Sequence, residues 1–225
     1  MNSSKDSLVK RIAYVVLLYF FWQVPSIFLG IVPNVLRISS SMMLAAAFFL
    51  SSAIVIYVAY RTAFKYTQRS MIQKVELRDI WYIVGGYVIT VIADEVLLAL
   101  NDLIYHQSET PNNQMIRESF MDANWIVTVL LIVEIILIAP IKEELIFRGV
   151  LFNLFFSPNR IVLRTLLSAS LFATVHATDT VFGFLLYAFS GIVFATVYSK
   201  TGKLQNTIAL HVLNNIVGTL IILLF

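Results

Sequence analysis

The chain contains no cysteine. That excludes disulfides, thiolate metal sites and a cysteine nucleophile. Charge is the second scarcity. Only 13% of the 225 residues are Asp, Glu, Lys or Arg, against about 25% in soluble domains. A secretory cleavage site is also missing: Lys5, Lys10 and Arg11 precede the first apolar run, but no convincing small-residue motif follows it. That run therefore reads as a retained helix. No nucleic-acid-binding patch is visible either; the net charge of +3 and pI near 9.1 come from an uneven distribution among loops. What the chain has in abundance is apolar surface. With 59% hydrophobic residues and a mean hydropathy of +0.84, it reads as an all-α polytopic transmembrane bundle.

About 20 apolar residues cross a bilayer, and seven stretches approach that requirement: 12–31, 42–60, 80–104, 124–156, 161–175, 181–199 and 204–225. The fourth is too long for one crossing, since a helix over 124–156 would run about 50 Å. Pro140 lies inside it and lacks an amide proton, so a break is expected there. Between the second and third spans stand Arg61, Lys65, Arg69, Lys74 and Arg78 against only Glu76 and Asp79. The positive-inside rule puts this loop and the N-terminus in the cytoplasm. Residues 105–123 carry Glu109, Glu118 and Asp122 against Arg117, which suits an external loop. Turns bearing Arg160 and Lys200 with Lys203 then fall inside, and the C-terminus outside. Two regions follow: a three-helix membrane region over 1–123 and a core over 124–225.

The core opens on a charged stretch from Ala139 to Gly149 containing Lys142, Glu143, Glu144 and Arg148 among Leu, Ile, Val and Phe. Each charge at the centre of a membrane helix costs about 2.5–3.5 kcal/mol on insertion scales unless it pairs or lines a wet cavity. Glu144 and Arg148 have the i, i+4 spacing of an intrahelical ion pair. Glu143 points about 100° away from Glu144, so the two are not expected to face one partner, and Glu143 is left to project into the bundle. His176 follows Phe172 by one turn, and Asn215 follows His211 by one turn, with Asn214 beside it. By helical rise, His211 lies about 12 Å from Lys203, Glu143 about 20 Å from Ser157 and His176 about 24 Å from Arg160. Those depths bracket mid-membrane and permit one shared site. His106, at the external loop, is discounted. Asp94, Glu95, Asn101, Asp102 and His106 form a polar stripe in the third span. Asp94 and Glu95 either face the bundle interior or belong to a structural or interfacial segment; the second reading is preferred.

A carboxylate and imidazoles in a low-dielectric cavity suit water activation by general acid–base chemistry. An amide and a second imidazole can donate to a developing oxyanion. The same residue types also suit zinc, with Glu143, His176 and His211 as ligands and a position left for water. Residue types alone leave both open. A plain structural charge cluster locking helices together is the competing reading, but it makes no use of the histidines.

Glu143-Glu144-x-x-x-Arg148, Phe172-x-x-x-His176 and His211-x-x-x-Asn215, in that order on successive helices, resemble the three motifs of the CAAX protease and bacteriocin-processing family, also called Abi, of intramembrane endopeptidases. The resemblance covers roughly 139–225. It implies that Glu143 and His176 activate the attacking water, that His211 and Asn215 stabilise the oxyanion, and that Glu144 and Arg148 support the site. For this family both metal-dependent and metal-free glutamate mechanisms are argued, and its cavity is thought to face the cytosol. The resemblance further implies a bacterial plasma-membrane enzyme acting on a peptide or protein substrate at the lipid bilayer, linked to bacteriocin processing or self-immunity. Two other readings use the same residues: a non-catalytic immunity or scaffold protein, and a proton-coupled transporter using Asp94, Glu95, Glu134 and Glu143. The internal repeats common in transporters are not found in this sequence.

Overall fold

The computed structural model describes residues 7–224 apart from 36–37, 68–69, 71 and 122, and the side chains of 28–41 are likewise outside the description. Lys5, Arg69 and Asp122 therefore lie outside the described residues. Within them the chain forms eight helices: α1 (Leu8–Val35), α2 (Ile38–Thr67), α3 (Leu77–Tyr105), α4 (Pro111–Met121), α5 (Trp125–Leu154), α6 (Ile161–Thr174), α7 (Val181–Thr201) and α8 (Leu204–Leu224). Six of them (α1, α2, α3, α5, α7 and α8) are long and apolar enough to cross a membrane. The expected fifth span is α6, whose 14 residues reach only about 21 Å; it ends inside the bundle. The polytopic helical bundle is thus as the composition requires. The acidic segment after α3 differs from the expected loop, because it folds into α4, which packs against α8.

The expected break at Pro140 does not occur. α5 continues from Trp125 to Leu154, and two wider π-helical turns at Glu134–Ile138 and Leu145–Leu151 are inserted into it. In the first of these, hydrogen bonds reach back five residues, as from Ala139 N–H to the Glu134 carbonyl. Pro140 has no N–H to offer Ile135 in the same way. The Asn215 side-chain amide on α8 donates to that Ile135 oxygen at 2.8 Å instead, so a neighbouring helix satisfies the carbonyl that proline leaves open. Asn124 caps the start of α5, its Oδ1 accepting from the amides of Ile126 at 3.0 Å and Val127 at 3.2 Å.

α5 is the central helix, with α1, α2, α6 and α8 against it. α3 packs on α7 and α8. Close approach of α6 and α7 depends on Gly191: a Cβ there would lie 2.9 Å from the Ala169 Cα. Small residues allow such contact between membrane helices. Gly191→Ala is therefore expected to lower stability by about 1–3 kcal/mol, read as an earlier thermal unfolding transition in detergent. Gly85→Ala, where nothing lies within 4 Å, should leave that transition unmoved. At the basic end of the bundle, Lys203 Nζ donates to Asp79 Oδ2 at 2.8 Å, the Lys74 carbonyl at 2.8 Å and Glu76 Oε1 at 3.1 Å. These bonds tie the start of α3 to the α7–α8 turn, and the bond to Asp79 holds the Lys203 ammonium above its ordinary pKa.

Candidate active site

Glu144 and Arg148 are both fully buried, and their ion pair forms as the spacing predicts, at 2.8 Å. Arg148 also donates from Nη2 to the Gly191 carbonyl at 3.0 Å. Its guanidinium sits 4.7 Å from the centroid of Phe172 and 5.3 Å from that of Phe194, where ring faces partly replace lost water. Three elements thereby fix the Glu144 carboxylate. Its Oε1 lies 3.1 Å from His211 Nδ1. An ionised carboxylate only accepts, so this partner assigns a proton to Nδ1 of His211.

Glu143 does not ignore that partner. His211 Nε2 lies 3.7 Å from Glu143 Oε2, so one imidazole sits between both carboxylates, using a different nitrogen for each. The expectation that adjacent glutamates share no partner fails because a ring presents two nitrogens about 2 Å apart on different edges, which spans the angle between neighbouring positions of a helix. Glu143 Oε2 makes no hydrogen bond among the described residues, and the side chain lines a cavity of about 480 Å³.

His176 reaches the same cavity from the C-terminal end of α6. Its Nδ1 is 2.9 Å from the Phe172 carbonyl; a carbonyl can only accept, so Nδ1 carries the proton and Nε2 keeps its lone pair. The ring is held between Tyr187, stacked at 4.2 Å with planes 14° apart, and Phe172 at 4.7 Å. Tyr187 is anchored in turn by α4 and the residue before it: its hydroxyl is 3.0 Å from Thr110 Oγ1 and donates to Asn113 Oδ1 at 3.4 Å. Asn215 lines the cavity as well, with one amide proton given to Ile135 and a second to spare.

Asp94 and Glu95 line this cavity, and the Asp94 Oδ1 is buried without a hydrogen-bond partner among the described residues. The structural or interfacial reading of the α3 stripe therefore holds for its later part only. There, Asn101 accepts from Thr180 Oγ1 at 2.6 Å and donates to the Gln107 carbonyl at 2.8 Å, and His106 is an exposed left-handed helix cap with φ 55°. Glu134, another lining residue, pairs with the fully buried Lys142 at 2.6 Å. Eight positions apart, they are not an ordinary helical pair; the π-helical turn between them changes the phase. Trp22, Gln23 and Ser26 of α1 complete the wall. No motif marks those three, nor Tyr187.

Metal binding by Glu143, His176 and His211 was a second option. Among the described residues no three His, Asp or Glu side chains are arranged to hold one ion. Glu143 Oε2 and His211 Nε2 face each other at 3.7 Å, and in this arrangement the three side chains are not grouped around one ion.

Residues 124–217 match the family described as "Type II CAAX prenyl endopeptidase Rce1-like". Similar curated proteins include "UPF0177 protein YbdJ" of Lactococcus lactis subsp. lactis (strain IL1403), 30% identical over 175 residues, which are 76% of this chain and 72% of that protein. "Putative membrane peptidase YdiL" of Bacillus subtilis (strain 168) is 26% identical over 168 residues, 74% of this chain. The match covers 66% of that relative, just under two thirds of its length. No solved structure matches the chain significantly.

Proposed function

The chain belongs to the type II CAAX prenyl endopeptidase, Rce1-like family of membrane proteases, and we propose that it is an intramembrane endopeptidase of the bacterial plasma membrane, hydrolysing a peptide bond of a membrane-associated peptide or protein. In this reading residues 124–225 form the catalytic core and 1–123 the surrounding region that completes its wall. Self-immunity or bacteriocin processing is the proposed physiological setting, on the strength of the motifs and of similarity to bacterial proteins.

Water attacks the carbonyl carbon of the scissile bond. Glu143, whose side chain lines the cavity and whose Oε2 makes no hydrogen bond among the described residues, takes one water proton; His176 accepts a hydrogen bond from the same water at Nε2 and orients it. Negative charge gathers on the carbonyl oxygen, where the spare Asn215 amide proton can donate. His211 enters the step protonated on both nitrogens, between the Glu144 and Glu143 carboxylates, and donates from Nε2 to that oxygen without giving up its proton. The C–N bond then breaks as Glu143 returns the proton to the leaving nitrogen, giving a carboxylic acid, which keeps the second water proton, and an amine. Glu144 and Arg148 touch no substrate; they hold His211 in the required orientation.

The observation that carries this reading is the convergence of Glu143, His176 and His211 on the wall of one cavity, with the Glu143 Oε2 making no hydrogen bond among the described residues. To test it, the purified protein is reconstituted in liposomes with a library of lipid-anchored, internally quenched peptides. Wild-type protein is expected to cleave members of the library, and His176→Ala to lose that cleavage while remaining folded. Full turnover by His176→Ala would remove the role given to this residue.

A further inference from the structure

We propose that the cavity receives its substrate from the extracytoplasmic side, so that the bond cleaved belongs to a secreted peptide or to the external segment of a membrane-anchored chain. This deepens the endopeptidase reading and rests on it for the word substrate, though not for the direction of access.

The direction comes from where the cavity lies. Its lining includes α4 (Asn112, Asn113, Ile116), α8 from His211 to Ile222 and α3 from Tyr87 to Leu98; among the described residues it includes nothing from 144–174 or 188–210. On the other side of Glu143 and His211 the bundle is solid. Arg148, Phe172, Phe194 and Leu210 are at most 2% exposed and form a floor. Beyond that floor the Lys203 bonds to Asp79 and Glu76 tie the helix ends together. A peptide approaching from that end meets packed side chains, whereas the α4 end reaches the surface at exposed Glu95 and Ile221.

Charge gives the two ends their sides. Arg61, Lys65, Lys74, Arg78, Arg160, Lys200 and Lys203 all lie at the closed end, in the α2–α3, α5–α6 and α7–α8 connections or in the helix ends that flank them. The described residues of the α3–α5 connection and the α6–α7 turn carry Glu109, Glu118 and Asp179 against Arg117 alone. Short loops with such an excess of Lys and Arg stay in the cytoplasm. Exposed aromatics mark both interfaces: Trp81 is 72% exposed near the basic end, and Tyr105 and Trp125 are 42% and 76% exposed at the other. Along α3, Trp81 and Tyr105 are about 36 Å apart, enough to span a hydrocarbon core of about 30 Å. Asp94 is about 17 Å from Tyr105 and about 20 Å from Trp81 on the same helix, near mid-membrane, and from that depth the lining continues towards the outer end through Leu98, Asn113 and Ile222. The family resemblance implies the opposite, a cavity facing the cytosol; the charge pattern of this chain opposes it.

The absence of native cysteine makes the test clean, because one introduced thiol is the only one present. Ser119→Cys on exposed α4, Leu98→Cys on the cavity wall and Asn159→Cys in the basic turn are each expressed in bacteria and treated with a charged, membrane-impermeant thiol reagent. Labelling of Ser119→Cys and Leu98→Cys in intact cells, with Asn159→Cys labelled only after permeabilisation, is the expected result. The reverse pattern overturns the proposal. So does Leu98→Cys that labels only after permeabilisation, or not at all, since the cavity would then not open outward. None of these readouts requires proteolysis. A chain that labels as expected yet cleaves nothing in liposomes loses the endopeptidase reading and keeps the topology; cleavage with reversed labelling does the opposite.

Discussion

Glu143→Gln should lower the turnover of any cleaved peptide by roughly 10²–10⁴-fold, the range for removing a general base, equivalent to about 3–5 kcal/mol of barrier. The substitution keeps the shape of the side chain and the packing of α5. It removes the oxygen that would take a proton from water, since an amide oxygen is a far weaker base and its nitrogen only donates. The Glu144 contact with His211 Nδ1 stays, so His211 keeps its orientation and substrate binding should change little. The loss is therefore expected in kcat with KM nearly constant, and thermal unfolding in detergent should match wild type. The immunity reading makes a different demand. If Glu143→Gln cleaves nothing and still protects cells from a bacteriocin as well as wild type does, cleavage is not how the protein protects.

Arg148→Met is expected to have the largest effect on stability. The guanidinium and Glu144 are both 0% exposed, and Arg148 also bonds the Gly191 carbonyl. Deleting one partner of a buried ion pair leaves an uncompensated charge, at a cost of about 3–5 kcal/mol. The double variant Glu144→Gln with Arg148→Met removes that uncompensated charge and should regain part of the loss, which a double-mutant cycle resolves as a coupling energy. Activity should not return with it. A Gln side chain does not hold the His211 Nδ1 proton as a carboxylate does, and the ring loses the constraint that aims Nε2 into the cavity. Stability that recovers together with full turnover would remove the positioning role of Glu144.

The legible part of this protein was the part paid for by charge in lipid. Glu143, Glu144 and Arg148 stand out because apolar surroundings tolerate them only with partners, and His176, His211 and Asn215 stand out at helical spacing on other helices; all but Glu144 and Arg148 reach one cavity. The i, i+4 pair appears at the predicted place because local geometry alone determines it. Pro140 misled, since its missing amide proton predicts a break only if nothing else bonds Ile135, and the rescuing amide comes from Asn215, 80 residues away. The pairing of Lys142 with Glu134 was hidden for a related reason: a π-helical turn alters the phase that an ideal helix would give. Asp94 and Glu95 were ambiguous because a polar stripe does not say whether a neighbour is water, lipid headgroup or cavity. Tyr187 carried no signal, being one of 10 tyrosines in an aromatic-rich chain. Its stacking on His176 exists only once α6 and α7 are packed.

The most direct measurement is an experimental structure of Glu143→Gln in lipid with an uncleaved peptide bound. On this account the scissile carbonyl carbon sits in the cavity within one water of both residue 143 and His176 Nε2, with its oxygen turned towards His211 and Asn215. A peptide seated elsewhere on the bundle, or these side chains too far apart to touch one common water, would contradict it.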